Sequence, residues 1–285
     1  MSALRHAGTA KQRAEWLPAI VSGELRAALA YAEPKSRYEL ADVALSAKAV
    51  EGGYRLSGQK ISVIGAPWSD YLLVSARTSG AQHDKDGITL FAVPRSAKGI
   101  SARDFVTVDG MRASDISFEN VQVAKEMVVG EIGKGLALLE RLVDEGIAAL
   151  SAEAAGAMKA LIDQTNAYAK TRQQFGQAIG KFQVIQHRLV DMYVAYEQSV
   201  SLCLMATLKL GETDRERARA ASAAKSHIGR AGAFIGQSAV QIHGGMGMTD
   251  ELAASHYFKR LTMIDTMFGN ADHHVRRFAA LGAAA

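Results

Sequence analysis

"RQQFGQAIGKFQVIQHRL", Arg172 to Leu189, is the stretch whose reading decides the fold. Phe175-Gly176 punctuates two helical patterns, and Phe182 opens the second. On that second helix Ile185, Leu189, Met192, Tyr196, Val200 and Cys203 recur at steps of three and four, which makes one apolar stripe for one buried face. Arg172 and Gln183 flank the turn. An arginine offers a fixed fork of donors that suits phosphate, and a glutamine both donates and accepts. The same residues also suit an ordinary helix-turn-helix corner with solvated polar groups.

Outward from this corner, the chain reads as helical from Gly133 on, with no proline after Pro94. Asp214 to His243 is a long Ala-rich helix. Inside it Gly229, Gly232 and Gly236 each cost about 1 kcal/mol of helix propensity relative to Ala, a cost that close helix packing would offset. A last helix is expected from about Asp250 into the tail. Four long helices with short connections predict a four-helix bundle over 133–285. Residues 25–128 change to period two. "YRLSG", "DYLLVSART", "ITLFAVP" and "SDISFENVQV" are strand-like, and Ile116, Phe118 and Asn120 are expected to alternate with Ser117 and Glu119. Strands at this spacing predict a small β-sandwich or barrel. Residues 1–24 read as a short helix carrying Trp16 and Leu17, broken at Pro18. The fold class is α+β.

The chain has 285 residues, 48% hydrophobic and 22% charged, enough for a substantial core. Cys203 is its one cysteine, which excludes an internal disulfide framework or a Cys-rich zinc module and fits a reducing cytoplasm. The net charge of +4 is interspersed, without the basic runs of a nucleic-acid partner. No stretch of about 18 apolar residues predicts a membrane span, and the N-terminus has no secretory h-region.

Two further clusters bear on chemistry. "QIHGGMGMTDE", Gln241 to Glu251, ends one helix and starts another; its glycines bare the backbone to a ligand, or make a C-cap and turn. Thr249 or Asp250 is expected to cap the next helix. "TMFGNADHHVRR", Thr266 to Arg277, sets His273 and His274 side by side, so that their side chains diverge and a metal site is not expected. Asp272 reads as a cap or dipole partner.

The two motifs around Phe175 and Gly244, in this order and spacing, resemble the C-terminal domain of the flavin-dependent acyl-CoA dehydrogenases. "WLPAIVSGELRAALAYAEP", "GGYRLSGQK" and "GEIGKGLALL" extend the resemblance upstream, so that it runs from about Trp16 to Arg277. "FGNADHH" is similar to bacterial pimeloyl-CoA dehydrogenase small subunits of that family. The resemblance implies the remnant of an N-terminal helical domain (1–24), a middle β domain (25–128) and the helical bundle (133–285), with most of the N-terminal wall of the acyl pocket missing. It implies FAD as cofactor, an acyl-CoA substrate, and a homo- or hetero-oligomer that shares FAD across its interface, with an electron-transfer flavoprotein among the family's acceptors.

By the same resemblance, Arg172, Phe175 and Gln183 hold the diphosphate-adenine part of the cofactor, and Gln241, His243, Gly244 and Gly245 its ADP part. Tyr31, Ala32, Ser62, Val63 and Ile64 lie along the isoalloxazine, and Ala271 and His273 also meet the cofactor. Ala32, Ser62 and Ile64 replace the family's ring-facing Thr, Trp and Thr, which leaves backbone donors at that end. Family members oxidise the acyl Cα–Cβ bond with a Glu as base. The two positions where that Glu is found fall here on Gly269 and Gly146. Glu145 is then the remaining base candidate, about 100° round the helix from Gly146. Asp144 is assigned to the substrate side, and the Gly269 N–H to the developing enolate oxygen. A catalytically silent partner subunit that completes a neighbour's FAD site is the alternative.

Overall fold

Gly8 ends one helix and Thr9 begins the next. Its hydroxyl accepts from Gln12 N at 3.2 Å, while the Gln12 side chain accepts from Thr9 N at 3.0 Å, a capping box between α1 (Ser2–Ala7) and α2 (Ala10–Ser22). The expected break at Pro18 does not occur. Pro18 lies inside α2, and the residue four before it, Ala14, is exposed, so water can serve the carbonyl that proline leaves without a donor. The Gln12 amide donates to Glu126 O and Val128 O, both at 2.8 Å.

The computed structural model describes residues 1–283, in two units divided within α3 (Gly135–Thr171), between Leu142 and Val143. In the first unit, eight strands form one sheet: β1 (Ala27–Ala30), β2 (Ser46–Val50), β3 (Gly53–Ile64), β4 (Tyr71–Arg77), β5 (Ile88–Pro94), β6 (Ile100–Val106), β7 (Arg112–Ala124) and β8 (Val128–Val129). Their order is β6-β7-β3-β2-β4-β5-β8, with β1 parallel to β4. Leu45, Leu56, Leu72, Val74, Phe91, Ile116 and Phe118 share one core. The other face of β5 buries Leu90 and Ala92 with Leu139 of α3.

Two bulges reset the strand phase. Leu56 pairs with Val121 but Gly58 with Phe118, an extra residue on β7 where Asn120 has φ 53°. Lys60 pairs with Ile116 but Val63 with Ser114, an extra residue on β3 where Ser62 has φ 51°. The expected alternation therefore stops at Asn120, which is exposed, and Val121 takes the inward place.

The second unit is the helical bundle, and the whole is an α+β protein. After α3, β9 (Gln173–Gln174) and β10 (Gln177–Ala178) pair around the Phe175-Gly176 turn. Then come α4 (Gln183–Leu208), α5 (Asp214–His243), α6 (Ala253–Thr266) and α7 (Ala271–Ala283), with α5 packed against α4, α6 and α7. Met158, Leu161, Met192, Ile228, Ile235 and Ile264 are buried in its core, each contributing about 1.5–3 kcal/mol. Close packing accounts for the glycines of α5: a methyl on Gly236 would lie 2.6 Å from Phe258 Cδ2, and one on Gly229 would overlap Asp265 Oδ1. The last helix is not continuous as expected. It breaks between α6 and α7, where Phe268 (φ 57°) and Gly269 (φ 109°) take left-handed backbone.

Candidate functional site

Within the bundle, Phe175 sits at the tip of the β9–β10 turn, 91% exposed with φ 52°. Its ring meets Phe182 edge-on at 6.2 Å. A groove of about 500 Å³ opens beside it, lined by Phe175, Ile179, Phe182, Ile185, Arg188, Gln241 and Ile242. Segments some 60 residues apart thus line one groove. No side chain caps α4 at Phe182, whose N–H bonds Ile179 O while Ile185 N bonds Phe182 O, so the Gln183 and Val184 N–H groups are the ones left to an anion or to water. Arg172 and Gln183 are exposed at this end.

Gly244 follows α5 with φ 62°, a backbone that favours glycine. Gly245 has no such need: its φ is not left-handed and a methyl there would meet nothing within 4 Å. That open backbone suits close approach of a ligand. His243 is buried, stacked on Tyr168 at 4.5 Å, and its Nδ1–H donates to Ala239 O at 2.8 Å. Thr249 and Asp250 do not cap α6. A 3-10 turn over Gly244–Met248 moves the helix start to Ala253, after Leu252, and the Ser255 hydroxyl donates to Thr249 O and Leu252 O.

The Phe268-Gly269 elbow holds one expected base position, and the Phe268 ring lies against the other. A methyl on Gly146 of α3 would lie 2.7 Å from Phe268 Cε2, and one on Gly269 would lie 2.6 Å from His273 Cδ2 and 2.7 Å from His274 Nε2. Buried donors hold the elbow. Lys225 Nζ donates to Gly269 O at 2.6 Å and Asp265 O at 2.9 Å, and the His274 Nε2–H donates to Phe268 O at 2.9 Å. Burial pushes Lys225 down to about 8, partly offset by Asp265, and pushes His274 down to about 3. Asn270, not Asp272, caps α7, accepting from His273 N at 3.0 Å; Asp272 is in the first turn and pairs with Arg230. Asp265 Oδ1 accepts from Ala271 N at 3.0 Å.

Asp144 is not placed for a substrate. Its carboxylate is fully buried, held by Arg277 at 2.6 Å and Arg217 at 3.3 Å. Glu145 is half-buried on the next position. Among the described residues, no three His, Cys, Asp or Glu side chains gather as metal ligands, and no helix is long and apolar enough to cross a membrane.

In the sheet unit, Tyr31, Ala32 and Ile61–Ile64 run side by side: Ile61 N donates to Ala32 O at 2.9 Å. Ser62 is exposed on its bulge, its N–H donating to Asp115 Oδ1 at 3.0 Å. The Val63 side chain is buried in the sheet core, which leaves its backbone to face a ligand.

The acyl-CoA dehydrogenase C-terminal domain model matches residues 133–281, and the acyl-CoA dehydrogenase middle domain model matches residues 28–121. The chain belongs to the acyl-CoA dehydrogenase family. It is 31% identical over 268 residues to a 3-(aryl)acrylate reductase of Clostridium sporogenes, covering 93% of this chain and 71% of that protein. It is equally 31% identical over 268 residues to mitochondrial isovaleryl-CoA dehydrogenase of Solanum tuberosum, covering 93% of this chain and 65% of the relative. A solved FAD complex of PigA superposes with a TM-score of 0.92 at 27% identity, over 99% of this chain and 74% of that one.

Several groups around these acyl-CoA dehydrogenase motifs escaped the sequence reading. Arg188 lines the groove about a turn and a half beyond Gln183, and a polar residue near an apolar stripe carries no distinctive signal. Lys225 looked like one more polar residue of a long helix. Lys60 did leave a signal: counting by twos from Leu56 puts it on the inward face of β3, where a lysine needs an acid partner.

Proposed function

We propose that this chain is an FAD-binding acyl-CoA dehydrogenase subunit acting on the Cα–Cβ bond of an acyl thioester, and that it carries no carboxylate at either of the family's base positions. The observation behind this is the contact of Gly146 with Phe268, one residue from Gly269. The family resemblance gives these two glycines the alternative positions of one base, and the contact supports that reading.

The residues present suit FAD. Arg172, Phe175, Gln183, Gln241, Gly244 and Gly245 would take its ADP part, with an exposed aromatic, an uncapped helix start and open glycine backbone among them. His243 can offer only Nε2, since its Nδ1–H is committed. Tyr31, Ala32, Ser62, Val63 and Ile64 would face the ring, and Ala271 and His273 belong to the cofactor side of α7. When bound, FAD supplies the two-electron acceptor or donor for the Cα–Cβ bond. The Gly269 N–H, whose peptide plane is held by the His274 bond to Phe268 O, is the donor for the thioester oxygen. Glu145 remains the candidate base.

A second reading rests on the same glycines. A chain without its own carboxylate would complete the FAD site of a hetero-oligomeric acyl-CoA dehydrogenase, with the base on its partner. The test is anaerobic bleaching of the flavin by acyl-CoA thioesters. Bleaching by the lone chain that disappears in Glu145→Gln supports the first reading. Bleaching that needs a full-length dehydrogenase partner supports the second. A flavin that no thioester reduces in either setting sinks both.

A further inference from the structure

The inward face of β3 holds a lysine that the proposed function has not used. Lys60 is fully buried, and its ammonium donates to Glu33 Oε1 at 2.7 Å, Ser75 Oγ at 2.9 Å and Tyr31 O at 3.2 Å. All three of its donors are therefore used. Glu33, 6% exposed, is also fully engaged: Oε2 accepts from Ala44 N at 2.8 Å and Oε1 from Leu45 N at 3.1 Å. Burial pushes Lys60 down to about 8 even with Glu33 opposing the fall.

Desolvating two charges makes such a pair weak as a source of stability, and apolar residues of like volume would serve a core at least as well. What the pair does supply is position. Lys60 grips the carbonyl of Tyr31, Glu33 fixes the chain two residues on, and Ile61 N bonds Ala32 O between them. The Tyr31–Ala32 segment is thus locked in register against Lys60–Ile61, just before the Ser62 bulge.

Building on the FAD reading above, we propose that the Lys60–Glu33 pair is a positioning device for the ring end of the cofactor. It presets main-chain groups of Tyr31, Ala32 and the Ser62 bulge to receive the flavin ring. Here the ring-facing side chains are Ala32, Ser62 and Ile64, so backbone geometry carries the recognition. A one-atom shift of that backbone is felt at the ring and not at the ADP end.

The test titrates FAD and ADP separately into the full chain, with ring absorbance followed alongside affinity. The Lys60→Met, Glu33→Gln double variant removes both charges, and Ser75→Ala removes one acceptor should the double variant not fold. The expected result for the double variant is a loss of FAD affinity of about tenfold or more, of the size seen when supporting shells are removed, with loss of the change in the visible band on binding. ADP affinity stays within about twofold of wild type. Ser75→Ala moves the same way by about two- to fivefold. A folded variant with wild-type FAD affinity and band shape overturns the proposal, as does an equal fall for FAD and ADP, which marks a merely structural role. A wild-type chain that takes up no FAD overturns the FAD reading together with this one, whereas an unaffected variant overturns this one alone.

Discussion

His274 shows how far one buried side chain can set the behaviour of the elbow. Both its nitrogens are engaged, Nε2–H on Phe268 O and Nδ1 with the Ser222 hydroxyl, and burial holds its pKa at about 3. The unfolded chain binds a proton below about 6.5 where the folded chain does not, so stability is present above that pH and falls as pH drops towards about 3. Between pH 7 and pH 5 the loss from this residue is about 2 kcal/mol. Urea denaturation at both pH values should show it, and His274→Asn should flatten that difference. Asp144 is the complementary case. Asp144→Asn leaves the buried Arg217 with the exposed Asp214 as its remaining anion and takes the anion from the partly exposed Arg277, and should cost about 3 kcal/mol in the same assay; a loss below about 1 kcal/mol would contradict the network described. Neither role was legible in sequence. The pair "HH" reads as two diverging side chains, and nothing local says that one is sealed against Phe268 O. An aspartate on a helix reads as solvated until its partners arrive from 73 and 133 residues away.

Elements were more legible than residues, and the failures have identifiable causes. The stripe from Ile185 to Cys203 predicted α4 because helical periodicity is a local property. The four strand-like runs in the middle region fall on β3, β4, β5 and β7, whereas β1, β2, β6 and β8 were missed: the first two are short and rich in Ala and Ser, β6 exposes much of its surface, and β8 has two residues. The bulges at Ser62 and Asn120 shift the phase by one residue, which only strand pairing defines. The α6–α7 break was partly legible, since Asp272 reads as a helix cap there, although periodicity alone runs the helix on from Asp250; the left-handed backbone at Gly269 goes with the bonds from Lys225 and His274. The glycines of α5 were legible in cost but not in purpose. Gly236→Ala gains about 1 kcal/mol of helix propensity but drives a methyl against Phe258, so the net change should be destabilising by about 1–3 kcal/mol. Phe258→Leu should restore part of it; thermal unfolding of the three variants checks both statements.

At the scale of the whole molecule, family and cofactor were carried by motifs, because the glycines and polar groups of those motifs answer to a ligand more than to the fold. Gly245 is the instance: neither its φ nor any neighbour within 4 Å requires a glycine there, which supports the proposed close approach of the cofactor. Chain-wide composition said far less, since +4 spread over the surface selects no partner. The relatives include one named as a reductase and one as a dehydrogenase, so direction and substrate rest on the site and not on likeness. The most direct measurement is equilibrium binding of FAD to the purified full chain, wild type against Arg172→Ala and Gln241→Ala. The account predicts saturable uptake that yields a yellow protein, weakened about tenfold or more in each variant. No uptake, or uptake indifferent to both substitutions, would contradict it.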